Sequence, residues 1–194
     1  MQDPFALYRE WFDQAVDSSE ALDAKAASLA TVDAAGHPSS RMVLIQYFDE
    51  TGFTYFTNLA SPKARDLAAR PDSALCLHWP LIERQVRIEG PSVQVPDEEA
   101  DTYFASRPRD SQIGAWASKQ SAPLEQEDAL EIRVARFTAD FDGKPVPRPP
   151  FWSGYRLAPS MMEFWIGRPG RLHERIRYDR ASSDAPWTEV RLYP

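Results

Sequence analysis

The sequence contains a single cysteine, Cys76, among its 194 residues. This excludes a disulfide within the chain and any cysteine-rich zinc site. No apolar run is long enough to predict a membrane-spanning helix, and the mean hydropathy is −0.50. Lysine is also scarce, with four lysines beside 18 arginines. The formal net charge is −7, which argues against a general nucleic-acid binder.

The motifs of several enzyme classes are missing as well. There is no G-x-x-x-x-G-K phosphate loop, no G-x-S-x-G nucleophile elbow and no glycine-rich dinucleotide fingerprint. His37, His78 and His173 lie too far apart in sequence for metal-ligand spacing, so no metal site is predicted. The chain is nevertheless rich in aromatic residues and arginine. We therefore expect a bound cofactor to carry the chemistry.

The composition is that of a folded protein. Hydrophobic residues make up 43% and aromatic residues 12% of the chain, enough for a core, and the length suggests one domain over residues 1–194. The first residues, Met1 to Pro4, have neither a basic segment nor an apolar segment of the kind found in secretory signals. We therefore expect a cytoplasmic protein.

Apolar periodicity and turn residues predict a mainly β protein. Eight short strands, many of them joined by turns that suit hairpins, favour an antiparallel Greek-key barrel with flanking helices. The last predicted helix carries Leu130, Val134, Phe137 and Phe141 on one apolar stripe. Helices are predicted over 3–15, 61–70, 97–105 and 125–141, and strands over 40–48, 52–57, 73–79, 84–95, 154–157, 161–166, 172–178 and 187–192.

The segment from Arg171 to Arg175 is the first candidate site. On a strand, the two-residue period would place Arg171, His173 and Arg175 on one face. Two arginines beside a histidine repel one another unless an anion lies between them, so this trio could hold a phosphate, with His173 available for proton transfer. A solvated strand face paired with acidic neighbours is the alternative.

A second candidate surrounds Arg107. Pro108 and the polar residues after it could begin a helix whose free backbone N–H groups favour an anion, with Ser111 near Arg107. An ordinary surface loop explains the same residues equally well. Lys63 in the first turn of a helix, and the polar run that contains Gln120 and Ser121, are weaker candidates for phosphate contacts.

Seven stretches of the chain resemble the pyridoxine/pyridoxamine 5′-phosphate oxidase family from about residue 3 to residue 194. The resemblance implies an FMN-binding split β-barrel that works as a homodimer, with the flavin between the subunits. It also implies transfer of a hydride from pyridoxamine or pyridoxine phosphate to FMN, reoxidation by dioxygen and release of hydrogen peroxide. The matching stretches are RMVLIQYFDETGFTYFTN, ERQVRIEG, YFASRPRDSQIGAWASKQS, FWSGYRL, MEFWIG, RLHERIRYDR and WTEVRLYP.

The resemblance also assigns site residues by position. Arg171 and His173 match the residues that cover and orient the substrate ring and act in catalysis, and with Gln46, Tyr103, Arg107 and Ser111 they form the substrate set. Trp165 and Arg175 match flavin contacts that come from the other subunit. The FMN set comprises Arg41, Met42, Val43, Leu44, Ile45, Gln46, Phe56, Thr57, Lys63, Gln85, Gln120, Ser121, Trp165 and Arg175.

Three departures from the family pattern leave the substrate open. Gln46 stands where the family has a lysine that helps hold the substrate phosphate, and Pro62 replaces an arginine that helps bind the FMN phosphate. The basic segment that precedes the first helix in the family is not found here. The sequence is therefore compatible with a vitamin-phosphate oxidase, with a flavin oxidase for another small aromatic or amine substrate, as in the related phenazine oxidases, or with a non-catalytic flavin or pyridoxal-phosphate binder.

Overall fold

The computed structural model describes residues 2–19 and 21–194. This part of the chain forms ten strands and six α-helices. The helices are α1 (Pro4–Ser18), α2 (Ala21–Lys25), α3 (Pro62–Ala69), α4 (Asp97–Ser106), α5 (Arg109–Ala117) and α6 (Ala129–Asp140). The strands are β1 (Ala26–Val32), β2 (Pro38–Leu44), β3 (Tyr47–Asp49), β4 (Gly52–Asn58), β5 (Asp72–Trp79), β6 (Arg84–Gln94), β7 (Trp152–Leu157), β8 (Met161–Ile166), β9 (Glu174–Asp179) and β10 (Thr188–Leu192).

All strand pairs are antiparallel, and the sheet curls into a split barrel. The long path runs β10-β9-β8-β6-β5-β1-β2, while β7 joins the end of β6 to β4, and β4 pairs with β3. Strand β6 can pair with both β8 and β7 because it bends at Gly90-Pro91. The mainly β barrel with flanking helices is confirmed.

The barrel core is strongly aromatic. Helix α1 begins at Pro4 with Asp3 as its N-cap, whose side chain accepts a hydrogen bond from the Phe5 N–H at 3.2 Å. This helix buries Tyr8, whose ring meets Phe53 edge-on, with 4.8 Å between the centroids. A smaller apolar cluster, in which Trp152 packs with residues of α4 and α5, lies beside the barrel and forms one wall of the candidate site described below.

The opposite face of the long sheet points away from the core. Because directly paired residues share a face, the register places one row of side chains across six neighbouring strands. We call this surface the outer face. The row runs from Met42 through Ser28, Cys76, Arg87 and Glu163 to Arg177.

The predicted strand over 40–48 is wrong as one continuous element. The chain breaks at Ile45 and Gln46, where the Ile45 N–H donates to the Lys25 carbonyl and the Gln46 N–H donates to the Thr54 carbonyl. Strand β2 therefore pairs with β1 whereas β3 pairs with β4, and the break closes the barrel between them.

The predicted helix over 125–141 is also wrong at its start, since α6 begins at Ala129. Its expected apolar stripe is only partly packed: Phe137 and Phe141 contact Trp116, whereas Leu130 and Val134 are exposed. Among the described residues, no helix has an apolar stretch of the length needed to cross a bilayer.

Candidate functional site

A cleft of about 540 Å³ opens where the break after β2 meets α3, α4 and α5. Eleven of the residues assigned from the sequence line it, so the structure brings the expected phosphate residues of cofactor and substrate into one cleft. No carboxylate is among the described residues that line it. The eleven are Met42, Val43, Leu44, Gln46, Phe56, Thr57, Lys63, Tyr103, Arg107, Ser111 and Gln120.

Lys63 is a buried cation at one end of this cleft. It stands in the first turn of α3, after the N-cap Ser61, and is 8% exposed. Its Nζ donates to Gln120 Oε1 at 2.8 Å, to Thr57 Oγ1 at 3.0 Å and to Ser61 Oγ at 3.4 Å. Burial, and secondarily the nearby Arg41, lower the pKa of Lys63. An anion bound at this helix N-terminus would offset the free-energy cost of burying the Lys63 ammonium.

Arg107 is a second cation in the cleft, and it is incompletely paired. Its Nη1 is buried and has no hydrogen-bond partner among the described residues, while its guanidinium lies 4.9 Å from the ring centroid of Trp152. Burial lowers the pKa of Arg107. The first turn of α5, which contains Ser111, begins directly after Pro108, so the segment forms a helix and not the surface loop that explained the sequence equally well. The arrangement suits an anion, because an unpaired buried donor is costly.

Aromatic rings form the wall between the two cations. Phe56 stacks on Tyr103 with a centroid separation of 4.0 Å and on Trp152 with 5.2 Å. Burial raises the pKa of Tyr103, so that its hydroxyl stays protonated and can donate a hydrogen bond. Flat, apolar walls with a few polar groups are typical of sites for planar ligands.

Four other assigned residues form a separate cluster on the outer face. The strand register places Gln85 opposite Trp165 and Trp165 opposite Arg175. The ring of His173 lies 4.5 Å from that of Trp165. Arg175 forms ion pairs with Glu163, which is 4% exposed.

The predicted strand over 172–178 is wrong at its start. A 3₁₀ turn, Pro169–Arg171, reverses the chain after β8, and β9 begins only at Glu174. Arg171, whose φ is 61°, is therefore exposed outside the sheet and does not share a strand face with Arg175. Positive φ at a residue other than glycine is uncommon and occurs often at functional sites.

The surroundings of His173 decide which of its nitrogens carries the proton. The backbone N–H of Arg168 donates to His173 Nδ1 at 3.2 Å. Because a backbone N–H can only donate, the neutral ring carries its hydrogen on Nε2. In this arrangement His173 offers a hydrogen-bond donor to a ligand.

Within one chain the outer-face cluster and the cleft are far apart. Strands β2 and β8 are separated by four strand spacings, about 19 Å along the sheet. None of the four cluster residues lines the cleft, so this chain alone does not unite all of the assigned residues in one cavity.

Besides Arg171, three assigned residues lie outside both groups. Arg41 donates to the Leu29 carbonyl and to Thr31 Oγ1, next to Asp66 on α3, and the side chain of Ile45 lies in the barrel core. Ser121 is exposed beside the cleft, with a φ of 67°.

The structure adds residues that sequence reasoning did not select. Ser106 and Trp152 line the cleft, and Ser61 lies 3.4 Å from the ammonium of Lys63. Trp152 follows a proline-rich stretch, residues 144–151, and belongs to the matching motif FWSGYRL. The sequence therefore did carry a signal for this residue. Glu163 also belongs to a matching motif, MEFWIG, but its ion pair with Arg175 on the neighbouring strand is visible only in the structure.

Comparison with known proteins identifies the family. Residues 17–141 match the family model described as pyridoxamine 5′-phosphate oxidase. Residues 152–194 match a second model, described as the pyridoxine 5′-phosphate oxidase C-terminal dimerisation region. The chain belongs to the pyridoxamine 5′-phosphate oxidase family. It is thus an enzyme of a family of FMN-dependent oxidases.

Individual relatives agree over nearly the whole chain. The pyridoxine/pyridoxamine 5′-phosphate oxidase of Nitrobacter hamburgensis is 52% identical over 192 residues, covering 99% of this chain and 90% of that protein. The protein of the same name from Brucella canis is 50% identical, covering 99% and 94%. The crystal structure of PhzG from Burkholderia lata 383 in complex with tetrahydrophenazine-1-carboxylic acid is 32% identical with a TM-score of 0.91, covering 100% and 94%.

Proposed function

We propose that this protein is an FMN-dependent oxidase that converts pyridoxamine or pyridoxine 5′-phosphate to pyridoxal 5′-phosphate. Dioxygen is the electron acceptor and hydrogen peroxide is released; with pyridoxamine phosphate, water also hydrolyses the imine left by hydride loss, so that the nitrogen departs as ammonia. The observation that carries the proposal is the presence in one cleft of two cations, Lys63 and Arg107, neither of which has a carboxylate within 4 Å among the described residues. Cofactor and substrate each carry one phosphate, and the cleft offers one cation for each.

The donor set around Lys63 fits the FMN phosphate. An ammonium, the hydroxyls of Thr57 and Ser61 and the N-terminus of α3 converge there, and Gln120 adds an amide that can turn its N–H₂ toward a ligand. When bound, FMN supplies the hydride acceptor of the reaction and returns the electrons to dioxygen. Pro62 removes the arginine side chain that serves as a phosphate donor in the family. The proline does not disturb α3, because it stands at the first helical position, where the helix needs no backbone N–H.

Arg107, Ser111 and Tyr103 would hold the substrate phosphate at the other end of the cleft. The guanidinium is already buried against Trp152, so an anion gains a desolvated, fixed donor. His173 would donate from Nε2 to the substrate and orient it. Hydride transfer needs the reacting carbon to be aligned with its acceptor, and such alignment lowers the barrier without a strong base.

We further propose that the working unit is a homodimer. The Trp165 cluster lies on the same outer face as Met42, about 19 Å away along one chain. A second copy packed on this face would bring its own Trp165, His173 and Arg175 to the Lys63 cleft. The match of residues 152–194 to a dimerisation region supports this arrangement.

The test of the proposed reaction is anaerobic. Protein loaded with FMN is mixed with pyridoxamine 5′-phosphate, and the flavin absorbance is recorded. We expect bleaching of the oxidised flavin spectrum, recovery on admission of air and one equivalent each of pyridoxal 5′-phosphate and peroxide. A loaded protein whose spectrum is unchanged by both phosphorylated vitamers would contradict the proposal.

A different small aromatic substrate is the second candidate, and Gln46 favours it. This neutral residue lines the cleft where the family has a lysine, so one charge-assisted contact to a phosphate is missing. Such a contact contributes about 1.5–3 kcal/mol. PhzG, whose structure holds a tetrahydrophenazine carboxylate, shows that a similar fold accepts a ligand without phosphate.

Restoring the lysine separates the two candidates. If pyridoxamine phosphate is the substrate, Gln46→Lys should lower its KM by about tenfold or more, through the added charge-assisted contact. An unchanged KM, together with turnover of a substrate without phosphate, would favour the second candidate.

A further inference from the structure

Glu163 is a buried carboxylate on the outer face, and it holds one arginine at two points. It is 4% exposed, and its Oε1 accepts from Arg175 Nε at 2.8 Å while its Oε2 accepts from Arg175 Nη2 at 3.1 Å. Arg87 on β6 adds a further contact, from Nη1 to Oε2 at 3.3 Å. A two-point pairing of this kind fixes the plane of the guanidinium as well as its position.

Stability alone does not account well for this arrangement. Taking a carboxylate out of water is costly, and replacing a buried ion pair with apolar residues is often neutral or stabilising. The neighbouring positions Met162 and Phe164 show that β8 otherwise buries apolar side chains toward the core. The fixed orientation of Arg175 is what the carboxylate provides.

The contacts that Arg175 makes with the described residues use only part of its donor capacity. A guanidinium has five N–H donors. Two of them bind Glu163, and Nη1 donates to the Tyr193 carbonyl at 3.1 Å. The two remaining N–H groups belong to a side chain that is 27% exposed beside Trp165.

We propose that Glu163 is a positioning residue for FMN binding, because it aims the free N–H groups of Arg175 at the flavin of the partner subunit. The inference rests on the proposed function, which assigns FMN to the cleft and Arg175 to the flavin. Glu163 itself acts through Arg175.

The test compares FMN affinity with the stability of the FMN-free protein. Glu163→Gln keeps the shape and one acceptor oxygen but loses the charge, and Glu89→Gln is the matched control. Glu89 pairs with Arg87 on the same outer face and has no contact with Arg175. FMN dissociation constants are measured by quenching of flavin fluorescence, and melting temperatures are measured without FMN.

We expect Glu163→Gln to raise the Kd for FMN by about tenfold, the equivalent of one charge-assisted hydrogen bond. Glu89→Gln should leave the Kd unchanged even where it lowers the melting temperature. Arg175→Lys, which keeps the charge beside Glu163 but loses the planar fork, should raise the Kd by a similar factor. In that background Glu163→Gln should have little further effect, since the two residues act in series.

Two results would overturn the inference. One is a Glu163→Gln protein with wild-type FMN affinity, and the other is an equal loss of affinity with and without Arg175. In both cases the wild-type chain still binds FMN and turns over substrate, so the proposed function stands. If the wild-type chain binds no FMN, the proposed function fails and this inference fails with it.

Discussion

Lys63 and Arg107 show how single residues acquire a binding role from their surroundings. Several exposed cations on this protein pair with carboxylates, as Lys119 does with Glu125 and Arg168 with Glu174. Lys63 contacts only neutral oxygens, and one nitrogen of Arg107 has no partner among the described residues. Both side chains are partly shielded from water in the cleft, where a phosphate interacts more strongly with their charged forms than it would in bulk solvent.

Anion binding by Arg107 can be tested by measuring the melting temperature of the protein in inorganic phosphate. A ligand that binds the folded state raises the melting temperature, because it draws the equilibrium toward that state. We expect phosphate to stabilise the wild-type protein more than Arg107→Met. Arg109→Met is the control, since Arg109 donates to the Lys144 and Phe141 carbonyls and does not line the cleft. Equal stabilisation of all three proteins would argue against an anion site at Arg107.

The lowered pKa of Lys63 predicts how FMN affinity depends on pH. Only the ammonium binds phosphate well, and Lys63 loses its proton at a lower pH than an ordinary lysine does. The Kd for FMN should therefore rise with pH before the ordinary lysine range near 10.4 is reached. The stability of the FMN-free protein should change in the opposite direction to FMN affinity. The unfolded state binds the Lys63 proton more tightly than the folded state does, so the free energy of unfolding rises with pH between the lowered pKa and the ordinary lysine pKa.

Lys63→Arg provides the comparison, because arginine stays charged throughout this range. Titrations of FMN from about pH 7 to about pH 10 should give a Kd that rises for wild type and stays nearly flat for the variant. Parallel curves for the two proteins would assign the pH dependence to another group.

At the scale of elements, the bend in β6 decides whether the barrel closes. Residues 84–89 pair with β8 and residues 92–94 pair with β7, so the strand must change sheets within a few residues. A Cβ at Gly90 would lie 2.1 Å from the Ala158 carbonyl oxygen, which is closer than real contacts allow. Glycine at this position is therefore a requirement of the fold.

Gly90→Ala should accordingly destabilise the protein by about 1–3 kcal/mol, the usual cost of forcing extra volume into a packed region. Gly114→Ala is the matched control: a Cβ there meets nothing within 4 Å, and alanine favours the helix by about 0.5–1 kcal/mol. Urea unfolding of both variants gives the two free energies. A Gly90→Ala protein as stable as wild type would contradict this requirement, because it would show that the connection between β7 and β8, which contains Ala158, can move away from the bend without cost.

At the scale of the whole molecule, the assigned site is divided between two places on one sheet. A homodimer that shares its sites should show complementation between two inactive variants. Lys63→Met removes the cleft cation, and His173→Ala alters the outer-face cluster. Co-expression should yield heterodimers in which one site is intact and the other carries both changes.

About a quarter of the wild-type activity is expected from random pairing, since half of the dimers are mixed and each mixed dimer has one intact site of two. Co-expression of Lys63→Met with the double variant Lys63→Met/His173→Ala has no intact site and should stay inactive. Sedimentation should give a mass twice the 22.0 kDa of the chain. A monomer, or no recovered activity, would contradict the shared site.

The sequence by itself determined the local structure and the chemical character of this protein. Ser61-Pro62 before Lys63 specifies a helix start, because proline suits the first turn, and the apolar alternation specifies most strands. The seven matching motifs also identified the family. These features depend on neighbours along the chain.

Only the tertiary structure decided how distant residues combine. The break at Ile45 and Gln46, the turn that removes Arg171 from β9 and the pairing of Glu163 with Arg175 all depend on strand register, which brings together residues far apart in sequence. The exposure of Leu130 and Val134 on α6 was likewise decided by the tertiary structure, since periodicity shows that a face is apolar but not whether another element covers it.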